Sequence, residues 1–363
     1  MKILHLSTAR EFTPGQRKQL SYERAAARKC PDFEWTTVAL HTSGESNDFD
    51  AAIPPVFRAM FLRNLYGWIY MLRVHERYDY VLCRHFTFDP FVLVFGWFIP
   101  NRITVHHAKE VEELRLIKGW KGGLASSLER ITGAVNARQV HAVLGVTQDI
   151  RKYQVARSDK VKRSFIYPNG ISTDEVQLLP DERDPCAVCA AFICGEFQSW
   201  HGLDKLIEAV EQQPALAEAN KLKIYLIGSL SKAQRKTIAR VNRISNVFID
   251  CGTLPFSKYA PLLAKCDLGL GSFALERKNL EEAATLKIRE YLALGLPVYS
   301  GHKDTAIPDG FAFYKYEQVN LANMIEFARE NKTMARSEIR AQSKIYIEKS
   351  KMMQSVVQWL SCG

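Results

Sequence analysis

The chain has 363 residues, of which 47% are hydrophobic, and carries a formal net charge of +10. This length exceeds one ordinary hydrophobic core and fits two domains of usual size. The longest apolar run, residues 91–99, is about half of the ~20 residues that a membrane-spanning helix needs. The apolar start at residues 1–6 is typical of a first strand and not of a secretory signal. We therefore expect a cytoplasmic chain without a spanning helix.

The first half of the chain alternates strand-like and helical runs. Strands are predicted at residues 2–7, 36–40, 80–83, 102–106 and 142–147. Most are continuous apolar runs, which suit a parallel sheet that is buried on both faces. A series of this kind predicts a doubly wound domain.

Residues 55–78, PVFRAMFLRNLYGWIYMLRVHERY, indicate an amphipathic helix. Apolar side chains recur at helical spacing with arginines among them: Phe57, Phe61, Leu65, Trp68, Ile69 and Leu72, with Arg58, Arg63 and Arg73. Such a helix can lie in a lipid interface, or it can belong to the core of the first domain. The positive net charge favours an anionic partner. We expect a membrane surface and no nucleic acid, because no basic run interleaved with aromatic residues occurs.

A domain boundary is expected near Tyr167-Pro168-Asn169-Gly170, where Pro and Asn-Gly interrupt regular structure. The polar segment 179–185 is typical of a linker. We predict four parts: a Rossmann-like domain over 1–166, a linker over 167–185, a second Rossmann-like domain over 186–340, and a C-terminal helix over 341–363 that can cross back to the first domain.

Eight cysteines are scattered without a paired framework, so reduced thiols are expected. Cys186, Cys189 and Cys194 lie close together and raise the question of zinc. A second ligand pair is missing, and Cys189 and Cys194 fall in an apolar strand. We therefore predict no metal site here.

The second half repeats the alternation of strands and helices. Strands are predicted at residues 187–193, 222–227, 247–250, 267–270 and 298–300. Between the first two, Leu203, Leu206, Ile207 and Val210 mark one face of a helix. The pattern predicts a second doubly wound domain.

Two carboxylates eight positions apart, Glu282 and Glu290, stand at the start of an apolar helix that Gly295 and Pro297 end. Helical rise would separate them by about 12 Å, so either they serve a long ligand or Glu282 lies on the preceding loop. Carboxylates accept hydrogen bonds from vicinal sugar hydroxyls, and a sugar nucleotide is such a long ligand. The alternative is an acidic helix start that favours the positive end of the helix dipole.

The stretch 286–298 reads Leu-Lys-x-x-Glu-Tyr-x-Ala-x-Gly-x-Pro-Val, and Tyr-Pro-Asn-Gly-Ile occupies 167–171. Both resemble elements of retaining, nucleotide-sugar-dependent glycosyltransferases with the Glu-x7-Glu signature, notably the bacterial surface-polysaccharide enzymes of the family 4 type. The resemblance implies an α/β GT-B fold, in which two doubly wound Rossmann-like domains face each other across a cleft. It also implies that Glu290 binds the ribose and that Glu282 reaches the donor sugar.

The resemblance assigns further positions. Backbone N–H groups of Thr285, Leu286 and Lys287 would contact the diphosphate, and the turns at Gly228 and at Gly252, Thr253 and Leu254 would seat the base. A histidine at the end of the strand 102–106 would lie near the donor sugar and acceptor. His106 is favoured over His107 for this role. Gly15 and Gln16 correspond in position to the acceptor-side loop of the family, although the residue types match only weakly.

One element departs from the family pattern. The segment after Gly195 corresponds to a Gly-Arg-x-x-x-x-Lys-Gly element whose Arg and Lys neutralise the diphosphate, but this chain carries Glu196 and His201 there. Replacement cations could be His201 itself, Lys287, or Arg277 or Lys278 in the loop before the carboxylates. Lys287 is the first choice because it lies near a helix N-terminus.

No metal or cofactor is expected. Asp48-Phe49-Asp50 is the only Asp-x-Asp match, and it lies in a polar loop, so we interpret it as solvated surface. Cations and backbone donors can stabilise the leaving group without Mg²⁺. The resemblance implies retention of configuration. Because no carboxylate pair is placed like that of glycosidases, we expect front-face attack.

The predicted function is a metal-independent hexosyltransferase, peripheral on the inner face of the cell membrane, that moves a sugar from a nucleoside diphosphate to a growing, lipid-linked surface glycan such as lipopolysaccharide. Two alternatives stay open. One is a nucleotide-sugar epimerase of the same fold, which needs no acceptor. The other is a catalytically silent subunit that binds a partner transferase.

Overall fold

The computed structural model describes residues 1–42, 50–117, 119–158 and 163–362, and at Met60 the backbone alone. The chain forms two compact units: the first holds Met1–Ser172 and Glu348–Gly363, and the second holds Thr173–Ile347. The predicted linker is not a separate part, because residues 167–172 belong to the first unit and residues 173–185 to the second. Of the predicted C-terminal part, residues 341–347 belong to the second unit.

A seven-stranded sheet forms the centre of the first unit. Its strands are β1 (Lys2–Thr8), β2 (Glu34–His41), β3 (Asp50–Ala52), β4 (Tyr80–Arg84), β5 (Arg102–His106), β6 (Ala142–Gly145) and β7 (Arg163–Ile166). They are all parallel, in the order β3-β2-β1-β4-β5-β6-β7. The helices of this unit before residue 172 are α1 (Pro14–Ala27), α2 (Met60–Val74), α3 (Val92–Phe95), α4 (Glu110–Arg115), α5 (Trp120–Gln139) and α6 (Gln148–Ala156).

A six-stranded sheet forms the centre of the second unit. Its strands are β8 (Cys189–Glu196), β9 (Lys223–Ser229), β10 (Phe248–Gly252), β11 (Leu268–Leu270), β12 (Val298–Ser300) and β13 (Tyr314–Tyr316). They are parallel in the order β10-β9-β8-β11-β12-β13. Its helices are α7 (Leu203–Gln212), α8 (Pro214–Ala219), α9 (Lys232–Asn242), α10 (Phe256–Ala264), α11 (Leu286–Ala293), α12 (Leu321–Glu330) and α13 (Arg336–Ile347).

The predicted strands are all present close to their expected bounds, and the two doubly wound sheets confirm the predicted α/β class. The structure adds β3, β7 and β13, and each of these lies at an edge of its sheet. Most of their side chains are partly or fully exposed. An edge strand of this kind carries no continuous apolar run, so the pattern that marks a strand buried on both faces is missing.

Each sheet has one point where the direction of strand addition reverses. In the first sheet it lies between β1 and β4, and in the second between β8 and β11. Open parallel sheets bind ligands at the carboxyl ends of the strands at such points. The end of β8 and the segments that follow β11 and β12 are therefore where a site of the second unit is expected.

The helix α2 lies within the amphipathic segment 55–78. Trp68 and Met71 are buried in the core of the first unit, and Phe57 and Leu72 pack against the same core. The core explanation therefore holds for the body of α2. Exposed apolar side chains begin at its first turn with Phe61.

The C-terminal segment forms two helices and not the single helix expected. α14 (Lys349–Ser361) follows α13 after Glu348 and belongs to the first unit. At the junction, Ile171 forms a bridge with Glu348, and its carbonyl accepts a hydrogen bond from the Lys349 amide at 2.7 Å. This backbone pairing fixes the start of α14.

A buried carboxylate ties α1 and α14 to the sheet. Oε1 of Glu23 lies 2.6 Å from Nδ1 of His5, 2.9 Å from Nε1 of Trp35 and 3.0 Å from Oγ1 of Thr37. Nζ of Lys349, whose side chain is 1% exposed, lies 3.6 Å from Oε2 of the same group. Burial alone would raise the pKa of Glu23, but the charges of His5 and Lys349 hold it well below its usual range.

We predict that Glu23→Ala lowers the free energy of unfolding by about 3–5 kcal/mol, because it leaves the Lys349 ammonium buried without its partner carboxylate. Glu34→Ala is the control, since the Lys2–Glu34 pair is exposed and such pairs contribute about 0–1 kcal/mol. Urea unfolding followed by tryptophan fluorescence measures the difference, because all of the 6 tryptophans except Trp200 lie in the first unit. Equal losses for the two variants would contradict the prediction.

Candidate functional site

The helix α11 is anchored at two places in the second unit. The hydroxyl of Tyr291 accepts a hydrogen bond from the Ile193 amide at 2.9 Å and donates to the Ala191 carbonyl at 3.1 Å. The Arg289 guanidinium pairs with Asp304, with Nη2 2.7 Å from Oδ1, and both side chains are 0% exposed. The helix is thus held to strand β8 on one side and to the loop after β12 on the other.

The anchored residues leave one face of α11 accessible. Leu286, Lys287 and Glu290 are half-buried, whereas Ile288 and Arg289 are buried. Positions 286, 287 and 290 lie within about 100° of one another around a helix. The predicted diphosphate and ribose residues therefore share one accessible surface.

Glu282 lies on the loop before α11 and not on the helix. It forms a bridge with Lys303, and the Ala283 amide donates to the Lys303 carbonyl at 3.0 Å. The helix begins at Leu286, with Thr285 as its N-cap. The sequence left open whether Glu282 lies on the helix, about 12 Å from Glu290, or on the preceding loop. It lies on the loop.

The first turn of α11 has the properties of an anion site. It contains no acidic residue, and the side chain of Thr285 makes no capping hydrogen bond. The Thr285 hydroxyl is buried and has no hydrogen-bond partner within the described ranges. The positive end of this helix is therefore not neutralised by its own side chains.

Lys287 reaches from this turn to the end of the central strand. Its Nζ lies 3.6 Å from Sγ of Cys194 and 4.9 Å from the centre of the Phe192 ring. The next residue of β8, Gly195, has no atom within 4 Å of the position that a Cβ would occupy. The ammonium thus lies beside an open stretch of backbone at the carboxyl end of β8.

His201 lies in the turn that follows β8, in surroundings that disfavour its charged form. Its Nδ1 accepts a hydrogen bond from the Gln198 amide at 3.0 Å, which puts the ring proton on Nε2. Burial, together with the charges of Lys287 and Lys278, lowers the pKa of His201 to about 3. This corrects the expectation that His201 supplies a positive charge: it can offer a neutral N–H donor.

Arg277 is engaged elsewhere. Its Nη1 and Nη2 lie 3.0 Å and 2.6 Å from the two carboxylate oxygens of Asp204, and Nη1 also donates to the Ser199 carbonyl at 2.6 Å. Lys278 stacks over the Trp200 ring at 4.5 Å from its centre. Among the candidate cations, Lys287 is therefore the one that lies beside both α11 and β8.

The turn glycines have different roles. A Cβ on Gly228, whose φ is +142°, would lie 1.8 Å from the Cys194 carbonyl oxygen, so only glycine lets β9 approach β8 this closely. Gly252, with φ +63°, borders open space and is followed by exposed Thr253 and half-buried Leu254. Both turns lie at carboxyl ends of strands, where the sequence predicts them. Their contact with a base stays a prediction.

His302, in the loop after β12, is a polar group that the sequence analysis did not single out. Its Nδ1 lies 3.0 Å from the Ser272 carbonyl oxygen. The same nitrogen lies 2.8 Å from Oγ of Ser300. The carbonyl can only accept, so its contact favours the tautomer with the proton on Nδ1, which makes Nε2 an acceptor. That Nε2 is buried and has no hydrogen-bond partner among the residues described, and burial lowers the pKa of His302 to about 4. A histidine two residues after the end of a parallel strand is the signal that could have identified it.

In the first unit, the two candidate histidines differ in accessibility. His106 is buried, with Nδ1 2.8 Å from Glu110, Nε2 3.2 Å from Thr104 and its ring stacked on His85. His107 is half-buried. Burial, followed by the charge of Arg84, lowers the pKa of His107 well below its usual value. Both nitrogens of the favoured residue, His106, are thus engaged within the protein.

One cluster has the composition of a metal site. Within residues 1–42, 50–117, 119–158 and 163–362, only His85, His106 and Glu110 bring three ligand atoms together, all within 4.8 Å. His85 already lies 3.0 Å from Glu129, which also pairs with Arg157 at 2.7 Å. These groups satisfy one another, so we interpret the cluster as a buried charge network. Of the Asp-x-Asp match, Asp48 and Phe49 lie outside the described residues, and Asp50 pairs with Arg24 at 2.7 Å.

The predicted acceptor-side residues lie at the start of α1. Gln16 forms a capping box with Thr13. The backbone amide of Gln16 donates to Oγ1 of Thr13 at 3.3 Å, and Oε1 of Gln16 accepts from the backbone amide of Thr13 at 3.0 Å. Gly15 faces open space. Gln16 therefore stabilises the helix start, and an acceptor contact stays a prediction.

Structural comparison finds similar folds over the whole chain. They include the lipopolysaccharide outer core galactosyltransferase WaaB, with 12% identity, 99% of each chain covered and a TM-score of 0.63. HepE from Anabaena, solved with UDP-glucose, has 16% identity, 100% coverage of both chains and a TM-score of 0.64. Sucrose-phosphate synthase from Thermosynechococcus elongatus has 15% identity, 100% coverage and a TM-score of 0.62. No family model and no curated protein sequence matches the chain. The two parallel sheets and these likenesses establish the GT-B fold.

Proposed function

We propose that this chain is a glycosyltransferase that binds a nucleoside diphosphate sugar in its second unit and transfers the sugar with retention of configuration. The accessible face of α11 carries the proposal, because Lys287 and Glu290 share it at the carboxyl ends of the central strands. The resemblance to Glu-x7-Glu glycosyltransferases and the fold shared with HepE, solved with UDP-glucose, support it.

The diphosphate would bind at the N-terminus of α11. The unpaired N–H groups and partial positive charge of a helix start suit a phosphate, and the Lys287 ammonium beside β8 adds a full charge. The neutral Nε2–H of His201 can donate a further hydrogen bond. The charge that builds on the departing diphosphate would be stabilised by the same donors.

The two carboxylates would have separate roles. Glu290, in the second turn of α11, would accept hydrogen bonds from the ribose hydroxyls, and Glu282, on the preceding loop, would contact the donor sugar. In the first unit, His107 has accessible surface, so we assign it the role beside the acceptor that the sequence analysis gave first to His106.

The reaction would follow front-face attack. The acceptor hydroxyl oxygen forms a bond to the anomeric carbon as the bond to the phosphate oxygen breaks, and that phosphate oxygen takes the hydroxyl proton. The products are the glycosylated acceptor and a nucleoside diphosphate. We propose a lipid-linked surface glycan as the acceptor, at the inner face of the membrane, in line with the resemblance to surface-polysaccharide enzymes.

We predict that Glu290→Gln weakens UDP binding about tenfold, because a charge-assisted hydrogen-bond pair becomes a neutral one. Calorimetry measures it, with UDP as the probe because HepE was solved with it. Glu282→Gln is the matched variant: it should lower turnover and leave the affinity for UDP nearly unchanged. Equal losses of UDP affinity in both variants would contradict the assignment of roles.

Lys287→Ala should reduce the binding free energy of UDP by about 1.5–3 kcal/mol and change that of uridine little, since the ammonium acts on the diphosphate alone. His201→Ala should cost about 0.5–1.5 kcal/mol, because the neutral imidazole supplies one uncharged donor. A large loss in His201→Ala with none in Lys287→Ala would move the diphosphate contact to the turn after β8.

The reaction itself can be tested with a panel of UDP-, GDP- and ADP-sugars and a lipid extract from cell envelopes. We expect one donor to release nucleoside diphosphate only when the extract is present, and NMR of the product to show the anomeric configuration of the donor. Conversion of the donor sugar without the extract would favour an epimerase. Absence of any donor binding would favour the silent subunit. That alternative is considered because Glu196 stands at the position of the usual arginine.

A further inference from the structure

The placement of polar and apolar side chains on α5 is the reverse of that on a usual surface helix. The inward face of α5 carries polar side chains, and its outward face carries apolar ones. The buried polar residues are Ser126, Glu129, Thr132, Asn136 and Gln139. The exposed apolar residues are Trp120, Leu124 and Ile131, at 74%, 61% and 61% exposure. Positions 120, 124 and 131 fall within about 40° of one another around the helix, so they form one stripe.

The inward polar side chains explain the inversion. Glu129 lies 3.0 Å from Nε2 of His85 and 2.7 Å from Nη2 of Arg157, and it accepts from the Phe88 amide at 2.6 Å. Asn136 pairs with the buried Arg102. Because these bonds need the polar face of α5 inside, the apolar stripe is left facing outward.

The stripe continues into the turn before the helix. Leu116 and Ile117, each 51% exposed, follow α4 and lie just ahead of Trp120. The helices α4 and α5 pack against each other, so the three side chains belong to one hairpin. We call Leu116, Ile117, Trp120, Leu124 and Ile131 the α4–α5 stripe.

Further exposed apolar side chains lie next to α5. Trp97, 69% exposed, belongs to the turn Gly96–Phe98, which packs against this helix. Phe61, at the start of α2, contacts the Phe88 ring. Most large apolar side chains exposed in the described ranges lie between residues 56 and 131. The exposed large apolar side chains are thus concentrated in the first unit, whereas singly scattered ones are normal on a protein surface.

The exposed charged residues of α5 are all basic, whereas α4 contributes Glu112 and Glu113 beside Arg115, which pairs with Glu112 at 2.9 Å. Lys121, Arg130 and Arg138 are exposed on α5, and Glu129, the one carboxylate in the sequence of this helix, is buried. Lys121 and Arg130 lie on opposite flanks of the stripe. An apolar stripe that contains tryptophan and is bordered by basic residues is the pattern of a segment lying in an anionic membrane interface.

We propose that the α4–α5 stripe docks the first unit on an anionic lipid bilayer, with Trp120 and its apolar neighbours in the interface and the basic residues on headgroups. A second copy of this chain that docked through α5 would bring Lys121 and Arg130 of each copy to the same contact, which like-charge repulsion disfavours. The inference deepens the proposed function and rests on it for one point only, that the acceptor is lipid-linked. It assigns the docking surface to α5 and not to the body of α2.

The test is co-sedimentation of the full chain with phosphatidylcholine vesicles, with and without phosphatidylglycerol. The wild type should bind the anionic vesicles, and added salt should weaken the binding. The double variant Trp120→Ser/Leu124→Ser should partition about tenfold or more weakly, since it removes the largest apolar side chains from the interface. Ile244→Ser is the matched control, because Ile244 is 74% exposed in the second unit, and it should bind like the wild type.

The charge contribution is tested separately by Lys121→Glu/Arg130→Glu, which should lose binding to anionic vesicles and keep the weaker binding to phosphatidylcholine. The urea unfolding midpoint of each variant, followed by tryptophan fluorescence, is measured alongside, and a value like that of the wild type shows that the first unit is folded. The affinity of each variant for UDP is measured as well and should be unchanged. A Trp120→Ser/Leu124→Ser variant that binds vesicles like the wild type would overturn the proposal. So would a stable dimer on size exclusion that this variant converts to monomer. Vesicle binding without any nucleotide binding would leave the docking surface standing and refute the proposed function.

Discussion

The buried pair of Arg289 and Asp304 is the constraint on which the candidate site depends. A fully buried ion pair does little for net stability, because desolvation offsets its attraction, but leaving one partner alone costs about 3–5 kcal/mol. The pair therefore holds α11 in one position relative to the loop after β12. With Tyr291 fixed to β8, the helix cannot rotate. Lys287 and Glu290 keep to the accessible face, and the N-terminus of α11 stays at the switch point of the sheet.

The departure at Glu196 and His201 changes how the site handles charge. A glycosyltransferase of the kind that this chain resembles has Arg and Lys after the corresponding strand, and these would bring two cations to the diphosphate. Here the turn after β8 supplies an imidazole, and the ammonium comes from α11. Lys287 lies near Cys194 and Phe192, so its charge is only partly solvated. A bound diphosphate would compensate this charge, and the backbone N–H groups at the fixed start of α11 would donate further hydrogen bonds to it.

The sequence predicted the buried architecture well because continuous apolar runs mark strands covered on both faces. It missed β3, β7 and β13, whose exposed edges lack such runs. It could not decide between core and interface for α2, since both bury an apolar stripe; the structure puts Trp68 and Met71 in the core. Glu290 and Lys287 could be predicted because they lie in a recognisable sequence motif. The surroundings of His201 and the Arg277–Asp204 pair could not, because they depend on residues far apart in the chain. The inverted α5 has the same origin, because its partners His85 and Arg157 come from other elements.

The central claim is that the accessible face and N-terminus of α11, with Lys287, hold a nucleoside diphosphate. The most direct measurement is a crystal structure of the chain soaked with UDP. The account predicts ribose hydroxyls within about 3 Å of the Glu290 carboxylate, and phosphate oxygens at similar distance from Nζ of Lys287 and the first amides of α11. A nucleotide bound elsewhere, or one whose phosphates are not in contact with α11, would contradict it.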